Sequence, residues 1–261
     1  MVILVGAAAW LVAQQVPDEP MDPVNMRPPS SPFCSPVVKA LLPSAFTARV
    51  EAHVGVEGTN GVRELRGQVA YLDGMSLFEI TSVKGDPIRG EPKKIKGKGG
   101  RTVICRPDKG LAYALNETIQ GYAEMPLPGG TNQPTALVDT KSTEPVKETI
   151  NGKHCVRKTV MVRAGPDTPQ SATVWSAEEL QGFPVRLLSE EGGRKLQLDF
   201  TDVGLTRPQA AWFEPPDGFT RFGSYAEMMT ELMRRSGSAK GRRGVTITPG
   251  SEPERERGPH Y

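Results

Sequence analysis

Phe46-Thr47-Ala48-Arg49-Val50-Glu51-Ala52-His53-Val54-Gly55-Val56 alternates apolar and small side chains with mostly polar ones in unbroken period two. Successive side chains of a strand point to opposite faces of its sheet, so this stretch buries one face and wets the other. The alternation returns in Leu65, Gly67, Val69 and Tyr71, after which Asp73-Gly74 signals a tight hairpin into residues 75–83. A second group places 101–106 and Leu111, Tyr113 and Leu115 around a Pro107-Asp108-Lys109-Gly110 turn, followed by 119–125. A third runs from Thr143 through Asn151-Gly152, again a hairpin signal, into Val156, Lys158, Val160 and Val162. The last comprises 172–175, 183–188 and Leu196, Leu198 and Phe200. About ten or eleven strands with short connections and no β-α-β spacing predict a mainly β fold, a curved antiparallel sheet or incomplete barrel.

Composition agrees with this reading. In 261 residues, 28 Gly and 24 Pro favour short strands and turns, and 37% hydrophobic residues suffice for one core. With a net charge of +2 and only 6% aromatic residues, the chain lacks the basic, base-stacking face of a nucleic-acid binder.

The two ends read differently. Residues 1–15 hold an apolar run, from Val2 to Val12, of signal-peptide length but too short to span a bilayer. No basic residue precedes it, and Leu11-Val12-Ala13 is a poor cleavage site, so the segment is expected either to direct export or to stay as an anchor. Residues 16–43 are Pro-rich and are expected to be a linker, without regular structure from Gln14 to about Pro36, because proline fixes φ and removes donors. The folded domain is expected over 44–233. Residues 234–261 have the composition of a disordered tail, with a basic start at Arg234, Arg235, Lys240, Arg242 and Arg243.

Two Ser-x-x-Glu capping boxes predict helices, one turn at Ser176-Ala177-Glu178-Glu179 ended by Gly182, and a longer one from Ser224. The second places Tyr225, Met228, Met229, Leu232 and Met233 on a single stripe that must pack on something. Such a Met-rich stripe suits either a lid over variable apolar partners or a permanent seal on the sheet.

Catalytic signals are missing. His53 lies on the polar face of its strand, His154 adjoins Cys155 without further zinc ligands, and His260 lies in the tail. There is no Gly-x-Ser-x-Gly elbow, and Lys93-Lys94-Ile95-Lys96-Gly97-Lys98-Gly99-Gly100-Arg101 lacks P-loop spacing. The expectation is a protein that is not an enzyme and uses no cofactor or metal. Of three cysteines, Cys105 and Cys155 fall in predicted strands and Cys34 in the linker; a Cys105–Cys155 disulfide and two buried thiols both remain open.

Glu148-Thr149-Ile150-Asn151-Gly152-Lys153-His154-Cys155 is followed by Val174-Trp175-Ser176-Ala177-Glu178-Glu179-Leu180-Gln181-Gly182-Phe183-Pro184-Val185-Arg186 and then by Phe213-Glu214-Pro215-Pro216-Asp217-Gly218-Phe219. Upstream, Ile104-Cys105-Arg106-Pro107-Asp108 leads to Tyr113 and Gln120-Gly121-Tyr122. This order, over roughly Phe46 to Met233, resembles the LolA-like superfamily of periplasmic lipoprotein carriers and lipid-binding proteins. The resemblance implies a strongly curved, unclosed antiparallel sheet whose concave apolar side is covered by short helices and receives acyl chains. The alternating residues Phe46, Val50, Val54, Val69, Tyr71, Val160, Leu196 and Leu198 are the candidate ligand-binding lining, with Met228, Met229 and Leu232 as lid; ordinary core packing would give the same pattern. The implied function is non-catalytic binding or carriage of lipid or lipoprotein acyl chains by a monomer in the periplasm, with peripheral membrane contact. Alternatives are an envelope interaction or stress-sensor module that binds a protein partner, and a hydrolase. Two departures stand out: no cation can be assigned to lock the lid, and no Cys follows the apolar run to carry a lipid anchor.

Overall fold

The computed structural model describes residues 31–55, 61–85, 101–127, 137–139, 145–163, 169–191 and 193–240. The apolar run at 1–15, the first half of the Pro-rich stretch, the Lys/Gly run at 93–100 and residues 241–261 lie outside them.

The strands are β1 (Ala45–Gly55), β2 (Val62–Leu72), β3 (Met75–Lys84), β4 (Arg101–Arg106), β5 (Leu111–Asn116), β6 (Gly121–Pro126), β7 (Leu137–Asp139), β8 (Val146–Ile150), β9 (Lys153–Arg163), β10 (Gln170–Ala177), β11 (Phe183–Glu191), β12 (Arg194–Gly204) and β13 (Thr220–Phe222). Two α-helices accompany them, α1 (Pro36–Leu41) and α2 (Tyr225–Lys240). All thirteen strands join one sheet in the order β13-β6-β5-β4-β3-β2-β1-β12-β11-β10-β9-β7, with β8 also paired to β9. Every pairing is antiparallel except β13 with β6. The mainly β, unclosed antiparallel sheet is as expected, with two strands beyond the predicted number, β7 and β13, each of three residues. Both Asp73-Gly74 and Asn151-Gly152 are hairpin turns with φ positive at both residues, 49° and 88° in the first, 49° and 76° in the second.

Curvature follows from what the segment 31–43, the strap, touches. Cys34 packs beside Cys105 of β4, whereas Val37 packs on Val160 and Val162 of β9. Those strands stand seven places apart in the sheet. At a spacing of about 4.8 Å per strand, a flat sheet would hold them roughly 34 Å apart, yet three residues of chain reach at most about 11 Å. The sheet is therefore wrapped around the strap. Phe33, with no exposed surface, stands at its centre, 5.3 Å from Phe78 of β3 and 6.3 Å from Phe200 of β12.

This corrects the expectation of no regular structure up to about Pro36, since Pro32–Cys34 and Pro36–Leu41 are helical and packed within the stretch read as linker. Ser31 and Ser35 cap a 3-10 turn (Pro32–Cys34) and α1 by accepting from the Phe33 and Val38 N–H groups at 3.3 and 3.2 Å. Pro32 and Pro36 occupy the opening position of each, where the missing N–H is lost to no partner and the fixed φ suits a helix. Phe33, Val37 and Val38 then supply the apolar anchor.

Among the described residues, the face opposite the strap is covered on the β2–β6 side, where Phe213 of a 3-10 turn (Ala210–Phe213) packs with Ala70, Leu72, Ile104, Tyr113 and Leu115. Covered on both faces, β4 and β5 are buried along almost their whole length. In β2, where the pairing with β3 shifts register between Arg66 and Gly67, a β-carbon on Gly67 would lie 2.0 Å from the Glu79 carbonyl oxygen, so only glycine fits.

Two helix expectations are corrected. Ser176 belongs to β10 and caps nothing; the following 3-10 turn (Glu178–Leu180) starts at Ala177 without a side-chain cap, because Glu179 instead accepts from the His154 N–H at 3.0 Å. The helix after Ser224 does use its cap, with Ser224 Oγ accepting from the Glu227 N–H at 3.1 Å and Glu227 accepting from the Gly223 N–H at 2.8 Å. It continues to Lys240, past the expected start of the tail, because Glu231 pairs with Arg234 and Arg235 one turn on, each at 2.7 Å.

Candidate functional site

Alternation along β1 separates Phe46, Ala48, Val50 and Ala52, all buried against the strap, from Arg49, Glu51 and His53 on the other face. The candidate lining divides into three groups. Phe46, Val50, Val69, Tyr71, Leu196 and Leu198 belong to one cluster under the strap, and Val54 packs at its border. Val160 lies in a separate cluster with Val37 of α1. Met228 and Met229, joined by half-buried Leu232, pack on Ala114, Ile119 and Ala123 near the β13 edge, so α2 covers β5 and β6 and not the β1–β12 centre. The centre is filled by rings: Phe46 stacks on Tyr71 at 5.3 Å and meets Phe183 and Phe200 edge-on at 5.0 and 6.0 Å. Burial pushes the Tyr71 hydroxyl pKa up, keeping it neutral on this apolar face.

The strap leaves a mouth. At the ends of β1, β2 and β12, a cavity of about 180 Å³ runs between Ser31, Pro32 and Ser35 on one side and the sheet on the other. Its floor is Val54, Leu65 and Leu196, and its border carries Arg63, Arg194 and Lys195. Two floor residues, Val54 and Leu196, come from the predicted lining. The mouth itself was not legible in the sequence, since it depends on where Ser31, Pro32 and Ser35 lie against β1, β2 and β12.

The opposite face holds a larger groove, of about 720 Å³, lined by polar side chains of β1, β2, β11 and β12. Its charges are already paired: Arg49 with Asp202 at 3.2 Å, Arg66 with Glu51 and Glu64 at 3.1 and 2.8 Å, and Arg186 with Asp199 at 2.5 Å. Ligand atoms of Glu51, His53 and Glu64 lie within 4.8 Å of one another, a trio of metal-ligand types. Arg66 and Lys84 hold their carboxylates, however, and a cation would have to displace both. Although burial raises the Glu64 pKa, the Lys84 hydrogen bond and nearby cations bring it below the ordinary value. Among the described residues lining the groove there is no Ser or Cys to act as nucleophile beside His53.

The residues that carried the resemblance contact one another across neighbouring strands and between β4 and the segment before β13. Glu148 of β8 accepts from Trp175 Nε1 and pairs with Arg157, both at 2.8 Å, while the Arg186 guanidinium sits 5.9 Å from the Trp175 ring. Arg106 of β4 donates to Asp108 and to Glu214, a link between two of the quoted segments. These contacts join β8, β9, β10 and β11 to one another and fix the end of β4 to the segment before β13.

Cys105 and Cys155 are not partners: they lie in β4 and β9 and belong to different clusters, and the Cys155 thiol donates to the Lys153 carbonyl at 3.4 Å. No helix among the described residues is long and apolar enough to cross a membrane.

No family model matches the chain, and no curated protein matches it. The open antiparallel sheet with helices on its apolar face is the architecture expected from the LolA-like resemblance. Among solved structures, the chain is similar to an uncharacterized conserved protein from Thermus thermophilus, at 12% identity over 73% of this chain and 96% of that one, with a TM-score of 0.37. It is also similar to the Mycobacterium tuberculosis lipoprotein LppX, at 14% identity over 69% and 99% with a TM-score of 0.35, and to LprF from Mycobacterium bovis, at 9% over 70% and 99% with a TM-score of 0.30.

Proposed function

We propose that this protein is a non-catalytic binder of lipid or lipoprotein acyl chains, working as an exported protein in the periplasm. The observation that carries the reading is the mouth beside the strap, where an apolar floor of Val54, Leu65 and Leu196 meets a cationic border. An acyl chain with an anionic head matches both parts.

The strap occupies the space that a long chain would need, so uptake is an exchange. Burying Phe33, Val37 and Val38 is worth about 1.5–3 kcal/mol each, in all roughly 5–9 kcal/mol. A chain of about twelve methylenes gains on the order of 10 kcal/mol when moved out of water. A chain arriving from water therefore outcompetes the strap. One arriving from a bilayer gains little, because its surroundings were already apolar, and the strap's cost decides against it. This balance favours uptake of chains that arrive from water over extraction from a membrane.

Native mass spectrometry of protein prepared from its own envelope, with lipid extraction, tests the reading. Reproducible acyl-chain adducts are expected. A lipid-free protein that also fails to bind a fluorescent fatty acid would overturn it, and would favour the second reading, an envelope module that binds a protein partner. That alternative is supported by Phe33, which already fills the apolar centre with the protein's own side chain.

A further inference from the structure

We propose that Cys34 and Cys105 form a reversible disulfide that fastens the strap to β4. Cys34 closes the 3-10 turn at the start of the strap, where its N–H donates to the Ser31 carbonyl at 3.1 Å, and it packs on the cluster of Val103, Cys105, Ala112 and Leu127. The two side chains are hydrogen-bonding neighbours, Cys105 being fully buried and Cys34 half-buried. The hydrogen bond from Cys34 and the nearby Lys39 ammonium lower the Cys105 pKa and favour its thiolate, while the same pairing and burial raise that of Cys34. Cys155, on another strand and in another cluster, is excluded from the pair.

The chemistry requires a disulfide-class oxidant such as glutathione disulfide. Cys34, the half-buried sulfur, attacks one oxidant sulfur and its proton passes to the departing first thiolate, giving a mixed disulfide on Cys34. The Cys105 thiolate then attacks Cys34 Sγ, the mixed disulfide breaks and the second thiolate leaves. Two protein thiols have lost two electrons, the oxidant has gained them, and the two protons end on its thiols. Reduction by a thiol runs the same steps backwards.

Fastening would fix the side of the mouth formed by Ser31, Pro32 and Ser35. This consequence, unlike the bond itself, rests on the acyl-chain reading: the oxidised protein should admit chains more slowly than the reduced one.

The full chain is equilibrated with equal concentrations of glutathione and glutathione disulfide, quenched, alkylated and mapped by mass spectrometry. A Cys34–Cys105 linked peptide is expected in most molecules, with Cys155 alkylated, and hydrogen exchange of the Val37 and Val38 amides at least tenfold slower than in the reduced protein. Cys34→Ser, at a half-buried position, should abolish both effects without unfolding the chain. A persistent glutathione adduct on Cys34 without the linked peptide, or linkage through Cys155, would overturn the proposal. Association of cis-parinaric acid is measured in parallel on both forms. If neither form takes up the probe while the linked peptide is present, the acyl-chain reading fails and the fastening stands.

Discussion

Arg106 and Glu214, 108 residues apart in the chain, form an ion pair where the turn after β4 meets the segment leading to β13. The same guanidinium donates to the Phe213 carbonyl at 3.2 Å and to both Asp108 oxygens at 2.8 and 2.7 Å. Phe213 is thus clamped over β2–β5 by its own backbone and by its neighbour's carboxylate. With its side chain only 11% exposed, Arg106 has little water to fall back on. Asp108 and Glu214 are both held below their ordinary carboxylate range, Asp108 chiefly by the Arg106 hydrogen bond and Glu214, against the upward push of burial, by Lys109 and Arg106. Arg106→Ala should cost about 2 kcal/mol, the range for losing hydrogen bonds to charged groups, because the carboxylates left behind are half exposed. Lys109→Ala, which removes an exposed partner of the same carboxylate, should cost at most about 1 kcal/mol. Urea denaturation of both variants measures the ratio.

Phe33→Ala should cost about 3 kcal/mol, because it empties the centre of the wrapped sheet. It should also expose the apolar face to solvent, so the variant is expected to bind the dye ANS while keeping its far-ultraviolet β signal. Unchanged dye binding with unchanged stability would mean that the strap does not hold the core together.

Val54→Asp places a carboxylate on the floor of the mouth. Fatty-acid affinity should fall more than tenfold, while stability changes by about 1–2 kcal/mol because the site is only partly buried. Lys195→Gln, at the exposed border, should weaken binding no more than about fivefold. Titration with a fluorescent fatty acid separates floor from border, and equal effects of the two changes would argue against the mouth.

Acid should loosen the end of α2. The Arg234 and Arg235 hydrogen bonds pull the Glu231 pKa down to about 2 in the folded chain. The unfolded chain takes up this proton first, near pH 4.3. The pairing therefore stabilises the helix end above about pH 4.3 and is lost as pH falls towards about 2. Protection factors of the amides in 231–236, corrected for the intrinsic pH dependence of exchange, should fall across that window, and Glu231→Gln should remove this loss.

The strands were legible where alternation was long and a turn signal followed: β1, β2 and the Asp73-Gly74 hairpin need no tertiary information. The two short strands β7 and β13 have no alternation to read, because three residues do not span a repeat. The strap was hidden by its prolines, which mark a linker when counted together and two helix starts when each is placed after its serine. Pairing of β1 with β12 places residues such as Val54 and Leu196 side by side, and no local pattern encodes that neighbourhood. For the same reason the sequence left a Cys105–Cys155 disulfide open, whereas the neighbour of Cys105 is a cysteine from the supposed linker. The candidate lining was half legible: period two gave the apolar face, but not that Phe33 and α1 would already stand on it.

The short strands at the two margins have a consequence for behaviour at high concentration. A sheet this wide that fails to close offers two free borders, and free borders invite fibres through chain-to-chain pairing. Here one border is β13, three residues long with α2 packed nearby, and the other is divided between β7 and β8, each covering only part of β9. Among the described residues, neither gives a neighbouring molecule a long run of unpaired backbone to copy. The protein can keep its barrel open and still be protected against polymerising.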